Sequence, residues 1–315
     1  MVDRRQFIKG VGVASTVGIA GISGCLGNLG STSGNEEQPY GDGTIDFSMS
    51  PSEPQDLMMK QYQPLKKYLS DEVHDTELTY AKDYAAVVEA LGSGTGDVAE
   101  TGPFAAALGV NEEKAEIALQ RFAYGAWDYA SVITTKKDSD IESLEDLEGK
   151  KVALADRLSA SGSLYPLFML KQAGLSIGSL PTGGDANADF NAQYAGGHGA
   201  AWAALENGQV AAAGTGKFIT VTGDDRTLAE GYEYVESHDG IPRAPIVVSP
   251  ELSGNEKESV VDALKNAPEK MYLGADGEEG TEDDLWFSDV RPAEVATYDP
   301  VINVAEELGI SLGDL

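Results

Sequence analysis

The chain has 315 residues, 52 acidic against 22 basic, a net charge of −30 at pH 7 and a single cysteine, Cys25. That length carries two α/β domains of ordinary size. The charge repels nucleic acid and anionic membranes, and one cysteine excludes internal disulfides, a cysteine-built zinc site and a thiol nucleophile in the folded body.

The N-terminus reads as an address. Arg4 and Arg5, followed by Phe7, Ile8 and Lys9, resemble a twin-arginine export signal. The apolar run at 10–24 is shorter than the ~20 residues a spanning helix needs. It ends in Ile22-Ser23-Gly24-Cys25, which resembles a lipobox with Cys25 as the lipidated first residue after cleavage. Residues 1–24 are therefore expected to be a signal, and 25–43, rich in Gly, Ser and acidic residues, a flexible tether. Removing the signal takes the net charge to about −32. Self-repulsion of that size destabilises a fold at moderate ionic strength. In molar salt the Debye length shrinks to ~3 Å and most of the penalty goes, so a halophilic source is expected.

Short strands then alternate with amphipathic helices. The periodicity predicts strand 44–49, helix 54–70, strand 77–81, helix 84–91, strand 97–101, helix 103–110 and strand 116–122. Strand 130–135 is expected to leave the first lobe. A second set runs through strand 151–155, helix 163–174, the region 189–205, strand 210–214 and strand 232–236. A return strand at 244–249 precedes helices at 255–267 and 301–308. This pattern predicts an α/β chain of two lobes, each with a mixed, mostly parallel sheet: lobe 1 from 44–126 and 246–315, lobe 2 from 127–245. Extended segments near 123–135 and 238–246 would be the crossings.

Few stretches suggest chemistry. The glycines of 92–97 follow a helix and precede a strand, the reverse of a phosphate-cradling turn, so they read as a loop. The acidic segment 274–284 lacks the spacing of a calcium loop and reads as solvated. Thr101-Gly102-Pro103 marks a strand end and helix start, either a well-made helix start or one whose amides face a ligand. Ser159-Ala160-Ser161-Gly162 holds the equivalent place in lobe 2, and its first turn is expected to leave its cap to a bound anion rather than cap itself. His198 also sits at a helix start after glycines, either as a structural histidine or as a donor to that anion. With no second His or Cys nearby, no metal is implied. His74 and His238 read as surface residues. Ser161 and His198 as nucleophile and base would make an exported serine hydrolase, but no acid stands out as a third member and the nucleophile-elbow glycine pattern is absent.

Four segments taken in order resemble the phosphate/phosphite/phosphonate-binding proteins of ABC importers: 80–107, 155–174, 194–218 and 241–252. In the second, Ala160 stands where that family's Ser-Thr-Ser-Gly turn has Thr. The resemblance implies a type II periplasmic-binding-protein fold with a two-strand hinge and a ligand cleft between lobes. It implies an extracytoplasmic, lipid-anchored binding component that catalyses nothing, needs no cofactor, and works as a monomer with a membrane permease. It places Tyr84 on the first-lobe side of the cleft, where the helix start at Thr101 and Gly102 would add its amides, Tyr129 at the hinge, and Ser159, Ala160, Ser161 and His198 around the oxyanion. Neutral phenol, hydroxyl and imidazole donors would serve a phosphonate without the desolvation cost of a buried arginine. Aminoalkylphosphonate binders carry acids for the ammonium group where this chain has Lys217 and Ala244. Phosphite, phosphate or a small or carboxylated phosphonate is therefore expected instead, with Lys217 or Arg243 reaching a second anionic group. A binding protein for another oxyanion or small nutrient on the same fold is the alternative.

Overall fold

The structure is a computed structural model that describes residues 39–223 and 225–310; the expected signal, Cys25 and most of the expected tether lie outside them. The last residues of that tether are anchored. Tyr40–Gly43 (α1) form a single helical turn in which buried Tyr40 hydrogen-bonds Glu256 through both its N–H and its hydroxyl.

The first lobe begins with β1 (Ile45–Met49), α2 (Gln55–Gln61), α3 (Gln63–Glu72), β2 (Thr76–Tyr80), α4 (Tyr84–Ser93), β3 (Val98–Glu100), α5 (Pro103–Asn111) and β4 (Glu116–Phe122). One helix was expected over 54–70, and two are found. Pro64 explains the break, because its ring cannot donate to Lys60 and collides with that carbonyl. The chain then crosses into β5 (Asp128–Lys136), β6 (Lys151–Leu154), α6 (Tyr165–Gln172), β7 (Asn191–Tyr194), α7 (His198–Glu206) and β8 (Ala212–Gly216). A small hairpin of β9 (Val221–Thr222) and β10 (Thr227–Leu228) leads to β11 (Tyr232–Pro242). The chain returns through β12 (Pro245–Val248), α8 (Gly254–Lys265) and β13 (Asp289–Pro292) to α9 (Asp299–Glu307).

Two sheets result, ordered β13-β4-β12-β3-β1-β2 and β11-β5-β8-β6-β7. Both are mixed, but the expectation that they are mostly parallel needs correction. Pairs β1–β2, β1–β3, β6–β7 and β6–β8 are parallel, whereas the pairs around β4, β5, β11, β12 and β13 are antiparallel. The physical reason is the double crossing. The strands that arrive from the other lobe, β5 and β12, enter a sheet from the opposite end and cannot join its βαβ half in the same direction, whereas β13 follows α8 within its own lobe and pairs antiparallel with β4 at the sheet edge.

Apolar packing ties the lobes together. One core cluster joins Tyr84, Phe104 and Leu108 of lobe 1 to Leu154, Leu158, Leu164 and Tyr165 of lobe 2, with Val301, Val304 and Ala305 of α9 in the same cluster. Helix α5 is buried from Pro103 to Gly109, which its all-round apolar sequence PFAAALG requires. Its start is thereby fixed at the floor between the sheets.

Candidate ligand-binding site

Three helix starts converge on one cleft. Lobe 1 contributes the β3–α5 junction at Thr101 and Gly102; lobe 2 contributes the turn at Ser159 and Ala160 and the first residue of α7, His198. All of these line a cleft with an empty volume of about 580 Å³, its open mouth included. Helices α5 and α7 have no side-chain cap, so the first N–H groups of each lack an acceptor among the described residues. Such amides and the aligned peptide dipoles favour an anion.

The turn after β6 carries the most specific chemistry. Ser159 caps a one-turn π-helix, Ala160–Leu164, that runs into α6. Its Oγ accepts the Gly162 N–H at 3.1 Å, so the turn does cap itself, which corrects the expectation that it leaves the cap to a ligand. His198 Nε2 lies 3.1 Å from the same Oγ. On the other side of the ring, the Gly216 N–H donates to Nδ1 at 3.0 Å, which puts the imidazole proton on Nε2. Burial lowers the His198 pKa from 6.5 to about 4, so the ring is a neutral donor at pH 7. Two donors thus occupy both lone pairs of Ser159 Oγ, and its own O–H is left for the cleft. The Ala160 N–H beside it has no acceptor among the described residues. Gly162 makes the arrangement possible: a Cβ there would lie 2.4 Å from Ala155 Cβ and 2.8 Å from His198 Cε1.

Tyr84 and Tyr129 also line the cleft, and burial first of all holds both phenols protonated by raising their pKa values. Ser161 does not line it. Its Oγ is buried without a hydrogen bond of good geometry, although the Tyr129 phenol lies against its hydroxyl and backbone. Its carbonyl accepts from Ser131 Oγ at 2.7 Å. The hydrolase pairing of Ser161 with His198 is therefore not formed. The serine that His198 does reach receives a proton donor rather than a base, and a backbone N–H stands where a triad would have a carboxylate. Lys217 is likewise outside the cleft: it is exposed, in an adjoining recess, with Nζ 5.6 Å from the Tyr234 ring centre. The short helix Lys217–Ile219 instead brings Phe218 to the cleft, its ring edge-on to His198 at 5.1 Å.

Sequence reasoning missed Arg121 and the carboxylates of the cleft floor; of Arg243 it expected a reach toward a second anionic group, but not its burial. Arg121 and Arg243 both line it, together with Glu53, Glu100, Tyr124 and Trp286. Arg121 is buried at the centre of a network: Nη1 donates to Glu100 Oε2 at 2.7 Å and to the Tyr62 hydroxyl at 3.2 Å, and Nε donates to the Ala244 carbonyl at 3.0 Å. Its guanidinium lies 4.1 Å from the Trp286 ring centre. Burial raises the Glu100 pKa, and Arg121 with the Ser50 N–H works against that shift. The available signal was a charged residue late in each of two apolar strand runs, Glu100 in DVAET and Arg121 in EIALQRF. The two other histidines are also less superficial than expected: His238 packs on Tyr165 at 4.7 Å, and His74 Nδ1 is buried without a partner.

Two α/β lobes joined by paired crossings, with uncapped helix starts facing the gap, define a periplasmic-binding-protein architecture. Residues 47–298 match the family model described as ABC transporter, phosphonate, periplasmic substrate-binding protein, and the chain belongs to that family. The phosphate-import protein PhnD of Mycolicibacterium smegmatis is 33% identical over 201 residues, which are 60% of this chain and 62% of that protein, less than two thirds of its length. The fold matches the binding component of an ABC phosphonate transporter from Pseudomonas aeruginosa, with a TM-score of 0.69 and 22% identity over 85% of each chain. It also matches PhnD1 of Prochlorococcus marinus, solved in complex with methylphosphonate, with a TM-score of 0.67 and 18% identity over 85% of this chain and 98% of that one.

Proposed function

We propose that this chain is the extracytoplasmic substrate-binding component of an ABC importer for phosphonate-, phosphite- or phosphate-type oxyanions. In this reading Cys25 carries a lipid anchor, the protein acts as a monomer with a membrane permease, and its acidity suits a saline medium. One observation carries the reading: Ser159 Oγ has both lone pairs filled by the Gly162 N–H and His198 Nε2, so its O–H is offered to the cleft beside the free Ala160 N–H. A tetrahedral oxyanion needs several such donors converging from fixed directions. The relatives support the class, one being named for phosphate import and another having been solved with methylphosphonate.

In the same reading 2-aminoethylphosphonate is not preferred. Ala244 and Arg243 line the cleft where an ammonium would require an acid. Of the two carboxylates on the wall, Glu100 is ion-paired with Arg121, while burial first and then the Glu100 charge hold the Glu53 carboxyl above the usual carboxylate range, against the weaker pull of Arg226. A thermal-shift series in molar KCl tests the proposal with phosphite, phosphate, methylphosphonate, 2-aminoethylphosphonate and sulfate. A ligand at 100 times its Kd adds ~2.7 kcal/mol, or roughly 4–5 °C for a chain of this size. Such a rise with phosphite or methylphosphonate and none with 2-aminoethylphosphonate is the expected result. A rise with sulfate alone would remove the substrate class and keep the fold.

A further inference from the structure

Arg243 has no counter-ion among the described residues. Its side chain is buried, 7% exposed, yet no carboxylate lies within 4.0 Å of it among the described residues, and Nε alone makes a side-chain hydrogen bond, to the Ala126 carbonyl at 3.1 Å. Its remaining guanidinium donors are not sealed in protein, since the residue lines both the cleft and the adjoining recess. Tyr124, Tyr129 and Phe218 line both spaces as well, so these side chains and Arg243 form the wall that cleft and recess share. The surroundings add positive charge. Arg226 lies 3.5 Å from the Tyr124 ring centre, the Arg243 guanidinium lies 5.3 Å from the same ring and 5.7 Å from Tyr129, and Lys217 lines the recess. Asp128 and Asp239 line the recess too, but neither pairs with a cation within 4.0 Å among the described residues.

Burying an unpaired cation is costly, and a fold that keeps one on the wall of a cleft leaves it to a partner that arrives. We infer that the ligand carries two anionic groups: an oxyanion head held at Ser159, Ala160 and His198, and a carboxylate one or two carbons away held by Arg243 at the junction of cleft and recess. This rests on the oxyanion reading of the cleft and names the ligand class within it: short phosphonocarboxylates rather than phosphite or alkylphosphonates. The planar fork of Arg243 suits a carboxylate, which accepts two parallel N–H donors. Its neighbours Tyr124 and Tyr129 wall the junction with ring faces, which keep it partly dry and strengthen the pairing.

Calorimetry in molar KCl tests this with matched pairs: phosphonoacetate against ethylphosphonate, and 3-phosphonopropionate against propylphosphonate. The unmodified protein is expected to bind one carboxylated member about tenfold or more tightly than its alkyl partner, about 1.4 kcal/mol. In Arg243→Gln the ratio of the two affinities should fall to about 1, and Arg243→Lys should restore part of it. The pairs measured on the unmodified protein alone decide the matter if Arg243→Gln fails to fold. Equal affinities within both pairs would overturn the inference and leave the oxyanion reading standing. A ratio unchanged in Arg243→Gln would overturn the role of Arg243. Absence of binding by all four phosphonates, phosphite and phosphate would remove the oxyanion reading, and this inference with it.

Discussion

The lobes approach closely where the Pro51 carbonyl, in the loop after β1, faces Gly197 at the start of α7. A Cβ on Gly197 would lie 2.6 Å from that oxygen, closer than real Cβ atoms come to anything. Gly197 has extended backbone, φ −172° and ψ 168°, so alanine is allowed there by conformation and excluded only by the opposite lobe. Gly197→Ala therefore separates closure from folding. Relieving the overlap requires the lobes to part by roughly half an ångström or α7 to shift, an overpacking cost of about 1–3 kcal/mol. An open form, with Pro51 withdrawn, does not feel it. If ligand binds the closed form, the affinity falls by roughly 5- to 150-fold, the factor to which that cost corresponds. Alanine is also a poorer cap than glycine, which lowers the unliganded stability by on the order of 0.5–1 kcal/mol. That loss appears without ligand and is measured separately. Gly199→Ala on the same helix is the control, because its Cβ would meet only Pro54 Cδ at an ordinary 3.9 Å. The assay is calorimetric titration with methylphosphonate, alongside melting with and without ligand. Equal affinity for Gly197→Ala and Gly199→Ala would refute the reasoning, since the Pro51–Gly197 approach would then play no part in the bound state.

Three further outcomes follow from buried ionisable groups. His198 has a folded pKa of about 4 against 6.5 unfolded, so the unfolded chain binds more protons between those values. Stability should fall as pH drops from 6.5 to 4, by on the order of 3 kcal/mol, and His198→Asn should flatten that part of a melting-versus-pH curve. Asp97 behaves oppositely: burial raises its pKa from 3.8 to about 6, so its favourable contribution is present below 3.8 and lost as pH rises through 6. Asp97→Asn, which can still accept the Asp46 N–H, should therefore gain up to about 2 kcal/mol at pH 7 and nothing at pH 4, a difference readable in Tm. Glu100→Gln leaves Arg121 buried without its counter-ion and should cost about 3–5 kcal/mol in denaturant unfolding. A loss under 1 kcal/mol would mean that solvent in the cleft already neutralises Arg121.

Local patterns were legible where one residue type or one period decides the outcome. Strand β4 falls on the predicted 116–122, and α5 starts at Pro103 as its proline dictates. Strand β13 was missed because DVRP is short, polar and ends in proline, as sheet edges allow. The two-residue strands β9 and β10 carry no period at all. In the site, Ser159 and His198 were visible as small polar residues at helix starts. The group that sets the His198 tautomer was not, because it is the backbone N–H of Gly216, and a backbone donor leaves no mark on residue identity. Arg121, and the burial of Arg243, were hidden for another reason. Burial of a cation depends on what surrounds it in space, and the partners of Arg121 come from Tyr62, Glu100, Ala244 and Trp286 across the lobe.

The charge of the chain and the charge of the cleft answer to different conditions. Arg121 and Arg243 are the buried basic residues among those described, and both line the cleft. The described lysines keep their charge in or near solvent, several of them in surface pairs such as Lys66–Glu77, Lys67–Asp71 and Lys150–Asp140. In molar salt, with a Debye length of ~3 Å, those exposed pairs and the long-range field of the net −30 are screened almost completely. Charges buried in protein are screened far less, and so are the amides of uncapped helix starts. Salt that silences the acidic surface thus leaves the donors of the cleft at nearly full strength. An anion that the bare net charge would repel can then approach the cleft and be held inside it.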